Sequence, residues 1–135
     1  MAAFVVDASV AATWFLPDEQ SDLAEAALNI VTRSSALAPD LFLHELRSIL
    51  VISEKRGRIT VDDIHTSLTR FRQLRIRLSN VSDDTMVVTL AHKHQISAYD
   101  AAYLALAITN DVPLATLDKK LRRAAEAEPV PLFEA

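Results

Sequence analysis

Four strand-like segments alternate with helical ones, and this alternation constrains the chain more than any other feature. Ala3-Phe-Val-Val6 is a short apolar run that reads as a buried strand ending at Asp7. Ala36-Leu-Ala38 before Pro39 reads as a second strand, Arg75 to Val81 alternates charged and apolar residues as a third, and Val112-Pro-Leu-Ala-Thr116 makes a fourth. Val130 to Phe133 supplies a fifth.

Between them the spacing predicts helices over Val10 to Leu16, stopped by Pro17, and Ser21 to Thr32, capped by Ser21 or Asp18. Another runs from Asp40 to Arg56 and closes at Gly57. Thr60-Val-Asp-Asp63 has the form of a capping box and opens a helix to about Leu74. Ser82-Asp-Asp84 opens the next, which ends near His94; Ser97 opens another, and Asp118 to Ala127 form the last. Strands separated by helices imply a mainly parallel central sheet of four to five strands with helices on both faces. No repeat, low-complexity tract or linker interrupts the pattern, so residues 1–135 read as a single α/β domain, long enough to bury a core.

Composition excludes several functions. The single glycine, Gly57, leaves no loop that could cradle a phosphate through close backbone approach, so neither a P-loop nor a dinucleotide-binding turn can be written. The absence of cysteine excludes disulfides and thiolate-bound zinc, and suits a reducing cytoplasm. Half of the residues are apolar, yet no apolar run spans a bilayer, and Met1 to Asp7 lacks the basic start and long apolar stretch of a secretory signal. The expectation is a cytoplasmic protein without a membrane partner. A net charge of -4 argues against a general nucleic-acid binder that works through a basic surface. It leaves room for an enzyme whose acids hold a metal.

Four acids stand out. Asp7 directly follows the first strand, and Asp118 follows Leu114-Ala-Thr116 by one residue, so two parallel strands would deliver both to one edge of the sheet. Each could instead be a helix N-cap. Asp100 fits a capping box in Ser97-Ala-Tyr-Asp100, which would account for it if it stood alone. Glu45 shares a helix face with Phe42, Ile49 and Ile52, which places it partly buried, or at a boundary with its stem packed and its head wet. Converging, the four would make one acidic cleft. Two like charges about 4 Å apart repel by roughly 4 kcal/mol at an effective dielectric near 20. Such a cluster must take up a proton or a cation, and oxygen-only ligands favour Mg²⁺ or Mn²⁺.

Val5-Val-Asp-Ala-Ser9, Ala38-Pro-Asp-Leu-Phe-Leu-His-Glu-Leu46, Tyr99-Asp-Ala-Ala-Tyr-Leu-Ala-Leu-Ala107 and Leu114-Ala-Thr-Leu-Asp118 occur in that order. Together they resemble the motifs of the PIN-domain family, most of all the VapC-type toxins of bacterial toxin–antitoxin systems. The resemblance implies a PIN-like fold and a Mg²⁺-dependent endoribonuclease cleaving single-stranded or loop RNA, with products ending in 5′-phosphate and 3′-hydroxyl. By it, Asp7, Glu45, Asp100 and Asp118 map onto the family's catalytic acids, with Asp7 and Asp100 as direct metal ligands. Ser9 and Thr116 match its small hydroxyl positions beside the acids. Ser48 departs from the asparagine that many relatives carry three residues after the glutamate. A VapB-type antitoxin whose tail covers the cleft is implied as partner, as is a homodimer. Glu45 or Asp118 would accept the proton of the attacking water.

The remaining polar groups read more plainly. Lys119, Lys120, Arg122 and Arg123 form either a solvated helix face or a set of groups that hold RNA phosphates. Arg70, Arg72, Arg75 and Arg77 read as solvated or as a protein-facing set, because Arg75 and Arg77 begin a strand at the edge opposite the acids. His92 and His94 do not share a helix face and so make no metal pair. Trp14, Tyr99 and Tyr103 read as core. Two rivals remain: a catalytically inactive PIN-like binding module, and a haloacid dehalogenase-like phosphatase, which would lack its second aspartate and leave Glu45 unexplained.

Overall fold

A computed structural model describes residues 2–81 and 83–135. Among them, β1 (Val5–Val6), β2 (Ala36–Pro39), β3 (Ile76–Ser79) and β4 (Leu114–Ala115) form one parallel sheet in the order β3-β2-β1-β4. Helices α1 (Ala8–Phe15) and α2 (Asp22–Val31) join β1 to β2, and α3 (Phe42–Lys55) and α4 (Val61–Gln73) join β2 to β3. Helices α5 (Asp84–His94) and α6 (Ala98–Asn110) then carry the chain back across the sheet to β4, and α7 (Lys119–Ala127) follows.

Both residues of β1 and of β4 are fully buried. Neighbouring strand residues point to opposite faces, so both faces of the sheet are covered. Helix α6 packs against β1, β2 and β4 as well as α5 and α7. Its residues Ala101 to Ala107 are buried without interruption, which explains the run of small and apolar side chains: alanine lets surrounding backbones approach from every side. The chain leaves β1 toward β2 but reaches β4 on the other flank. The connections therefore diverge at the carboxyl ends of β1 and β4, the place where open α/β sheets build their sites.

Local chemistry sets most boundaries. Ser21 caps α2, its Oγ accepting from the Ala24 amide at 3.1 Å, while Asp18 pairs with Arg58 at 2.7 Å. The capping box of Thr60 and Asp63 forms with both reciprocal bonds, at 2.8 and 3.1 Å. Gly57 closes α3 at φ +75°, with its amide bonded to the Glu54 carbonyl and that of Arg58 to Ser53, a Schellman motif.

Some expectations shift. Helix α1 begins at Ala8 rather than Val10, because the Asp7 carboxylate accepts the Val10 amide and caps the first turn. The start expected at Ser82 lies outside the described residues; Asp83 caps α5 through the Met86 amide. The fifth strand reduces to one parallel bridge between Leu132 and Leu114, with the ring of Phe133 centred 4.7 Å from that of Phe4 and tilted by 34°. Ile52 is 44% exposed, because α3 buries the neighbouring stripe of Phe42, Leu43, Leu46, Leu50 and Ser53 instead. Among the described residues no helix is long and apolar enough to cross a membrane.

Candidate active site

Asp7 sits where β1 ends and α1 begins, and is only 5% exposed. Its Oδ1 accepts from Ser9 Oγ at 2.6 Å and from the Val10 amide at 3.2 Å, while Oδ2 accepts from the hydroxyl of Thr116. Thr116 is fully buried and follows β4. Each hydroxyl has a second duty: Ser9 Oγ accepts the Leu117 amide at 3.1 Å, and Thr116 Oγ1 accepts the Asp118 amide at 3.0 Å. A hydroxyl carries one hydrogen, so accepting a backbone N–H directs that hydrogen onto Asp7. Ser9 and Thr116 thereby lock the carboxylate to the loop that carries Asp118, Thr116 from 109 positions along the chain from Asp7. Burial pushes the Asp7 carboxyl up to about 6, against the hydrogen bonds from Ser9, Thr116 and Val10, and the charge of Asp100 adds to the rise.

Glu45, in the first turn of α3, is half-buried and accepts from the hydroxyl of Tyr103. Tyr103 lies one helical turn beyond Asp100 on α6 and is 1% exposed. Burial raises its phenol, and the Glu45 hydrogen bond raises it further, so the proton stays on the tyrosine. Burial likewise raises Glu45, offset by that hydrogen bond, with the charge of Asp100 adding to the rise. Asp100 is raised by burial first and by the charge of Asp118 second, while Ser97 and Lys120 pull it down. The Ser97 hydroxyl accepts the Asp100 amide at 3.0 Å, but among the described residues the reciprocal bond to the Ser97 amide is not made. The Asp100 carboxylate is therefore not tied to its own backbone as a full capping box would tie it. Asp118 does cap α7, Oδ1 accepting the Leu121 amide at 3.0 Å. For Asp7 and Asp118, then, capping does not exclude proximity to another acid: each caps a helix, and Asp100 acts on Asp7 as Asp118 acts on Asp100.

The four acids influence one another electrostatically, Asp100 acting on Asp7 and Glu45, and Asp118 on Asp100. Among the described residues none of them is ion-paired. Nor is any group of three or more acids or histidines disposed to hold an ion as the side chains stand, since Asp7 and Glu45 turn oxygens onto hydroxyl donors. The donor set nonetheless fits a hard divalent cation: oxygen only, negatively charged, and lacking a cation of its own. Glu45 and Asp100 are partly exposed, so solvent reaches their heads.

The sequence reading missed part of the support. Tyr103 is core, as expected, but its hydroxyl also holds Glu45; its spacing of three from Asp100 was the available signal. Tyr99 is not core but 65% exposed, and lines a hollow of about 410 Å³ with Leu41, His44, Glu45 and Ser48. Trp14 is partly buried and donates its indole N–H to the Ala24 carbonyl at 2.7 Å. Arg122 belongs to neither a solvated face nor a free cation set: Nη1 donates to the Thr116 carbonyl at 3.0 Å, and Nη2 lies 3.6 Å from Glu134. Replacing Tyr103 by phenylalanine deletes only the hydroxyl, so a urea midpoint should report a loss of about 1–2 kcal/mol with an unchanged slope.

A family model described as PIN domain matches residues 4–127. Ribonuclease VapC3 of Pyrobaculum aerophilum is 34% identical over 122 residues, which cover 87% of this chain and 90% of that relative. Among solved structures, PAE2754 from Pyrobaculum aerophilum superposes with a TM-score of 0.72 at 21% identity, over 91% of this chain and 84% of that one. VapBC2 from Rickettsia felis, bound to a DNA fragment from their promoter, gives a TM-score of 0.67 at 15% identity over 96% of each chain. At those identities the two structures speak to the fold.

Proposed function

The chain belongs to the PIN-domain family, and from that premise we propose that it is a VapC-type toxin, a Mg²⁺-dependent endoribonuclease built as one domain over residues 1–135. The observation that carries the reading is Asp7, buried at the topological switch point and raised to about 6, with the unpaired charges of Asp100, Glu45 and Asp118 acting around it. The named ribonuclease relative supports the reaction class. Family membership also removes the haloacid dehalogenase reading.

Asp7 and Asp100 would hold Mg²⁺ or Mn²⁺, with Glu45 and Asp118 completing the set. When bound, such an ion polarises the scissile phosphate and acidifies water at the site. The chain's own groups do the rest. Ser9 and Thr116 keep the Asp7 carboxylate in one orientation, and Tyr103 fixes one oxygen of Glu45 and leaves the other free. Glu45, half-buried, or Asp118, more exposed, would accept the proton of the attacking water. RNA hydrolysis would take place in the cytoplasm. A VapB-type antitoxin is the partner, a reading supported by the relative named VapBC2. An antitoxin arginine would satisfy the unpaired acids by charge-assisted hydrogen bonds. A homodimer is the assembly the family implies.

Purified protein incubated with end-labelled RNA is expected to cut it in Mg²⁺ or Mn²⁺, to stop in EDTA, and to leave 5′-phosphate ends. Mg²⁺ should also raise the melting temperature of the parent chain. RNA binding without turnover in any divalent ion would identify an inactive binding module instead. Cleavage undiminished in EDTA would remove the metal from the proposal.

A further inference from the structure

One cationic hollow adjoins the acids. Lys93, His94 and Gln95 at the end of α5, with Lys120, Arg123, Ala124 and Ala127 on α7, line a cavity of about 450 Å³. Its α7 wall follows directly on Asp118, with Lys120 two residues after that acid, and its α5 wall ends at Gln95, five residues before Asp100 of α6. The charge of Lys120 reaches Asp100 and lowers it. Glu128 is the acid at this edge, and its Oε2 is engaged by Lys93 at 2.7 Å and His94 at 2.6 Å. Among the described residues Lys120 and Arg123 have no ion-pair partner. Of the three cations lining the hollow, Lys93 is taken up by Glu128, which leaves Lys120 and Arg123 without an ion-pair partner among the described residues, on a protein whose net charge is -4.

From this placement we infer that the hollow between α5 and α7 is a phosphate-binding subsite, in which Lys120 and Arg123 hold the RNA backbone to one side of the bond being cut. An acidic site repels the strand it must cleave, and side-chain cations beside it offset that repulsion without a basic surface elsewhere. Of the basic run after Asp118, this assigns Lys120 and Arg123 to the strand, whereas Arg122 serves the loop of Thr116.

The inference rests on the ribonuclease reading, so the two are tested apart. Cleavage by the parent chain tests that reading. Binding is followed by fluorescence anisotropy with a labelled single-stranded RNA of about twelve nucleotides, between roughly 50 and 200 mM salt, on the Asp7→Asn background. Adding Lys120→Ala and Arg123→Ala should weaken binding about tenfold near 100 mM salt and flatten the salt dependence by about 1.4 in log–log slope, near 0.7 for each single-strand phosphate that is no longer neutralised. Arg70→Ala with Arg72→Ala, on α4, should change neither. An unchanged slope in the α7 double variant with its urea midpoint preserved overturns the inference, as does an equal loss in the α4 control. So does weaker binding of a VapB-type antitoxin with the RNA slope unchanged, which would place an acidic protein segment in the hollow.

Discussion

Asp7→Asn should abolish cleavage, by roughly a thousandfold or more, and at the same time make the metal-free protein more stable. The first effect follows from removing a charged oxygen ligand and a centre of the site's field, losses that typically cost about two to four orders of magnitude each. The second follows from linkage. Burial raises the folded-state carboxyl to about 6, above its unfolded value, so the fold binds this proton more tightly than the unfolded chain does. Stability is therefore present below the unfolded value, near pH 4, and is lost as pH rises through about 6. The full difference is on the order of 3 kcal/mol.

Asparagine removes the titration. Its oxygen can still accept from Ser9 and the Val10 amide, and its NH₂ can donate to Thr116 Oγ1, which has a second lone pair free beside the Asp118 amide. Net of that rearrangement, the variant should gain about 1–2 kcal/mol in EDTA at pH 7.5. The variant should be the less stable of the two at pH 4, by about 1 kcal/mol; the urea midpoints should cross between pH 4 and 6 and run parallel above pH 7. Added Mg²⁺ should raise the parent's midpoint and leave the variant's in place. Equal stability of the two at pH 7.5 would show that Asp7 carries no burial penalty.

Thr116→Val should be the most destabilising conservative change in the site. Valine fills the same volume, so packing of this fully buried side chain is kept and only the hydroxyl is lost. That hydroxyl donates to Asp7 Oδ2 and accepts the Asp118 amide, so both groups lose a partner. The expected cost is about 2–4 kcal/mol, read as a drop in melting temperature of roughly 8–15 °C. Thr116→Ser keeps the hydroxyl and should cost about 1 kcal/mol, with cleavage retained. Combined with Asp7→Asn, the valine change should cost less than the sum of the two separate effects, because the variants share one hydrogen bond. Strict additivity would mean that Thr116 does not act through Asp7.

How far the fold could be read follows from the range of the forces involved. The α/β class and the parallel sheet came from apolar periodicity and strand–helix alternation. The ends of α2, α3 and α4 came from caps whose partners lie within a few residues, Ser21 with Ala24, Gly57 with Glu54, and Thr60 with Asp63. At Ala8 the reading slipped, because the Asp7 carboxylate was weighed as a cap or a ligand and does cap α1.

The residues that make up the candidate site were legible for the same reason: each acid stands at a fixed offset from its own strand end or helix start. The grip on those acids was legible only in part: the family resemblance set Ser9 and Thr116 beside them, while nothing local pointed from Tyr103 to Glu45. Thr116 reaches Asp7 only because β4 pairs with β1, and Tyr103 reaches Glu45 only because α6 crosses the sheet to meet α3. The sequence also left Tyr99 in the core, Ile52 on the buried face, and Arg122 among the free cations. Whether an apolar or charged side chain meets water depends on which neighbour packs over it. Local spacing determined which groups the chain has and roughly where along each element they fall. The crossover connections, by bringing segments 58 and 109 residues apart within hydrogen-bond reach, decided which groups hold one another.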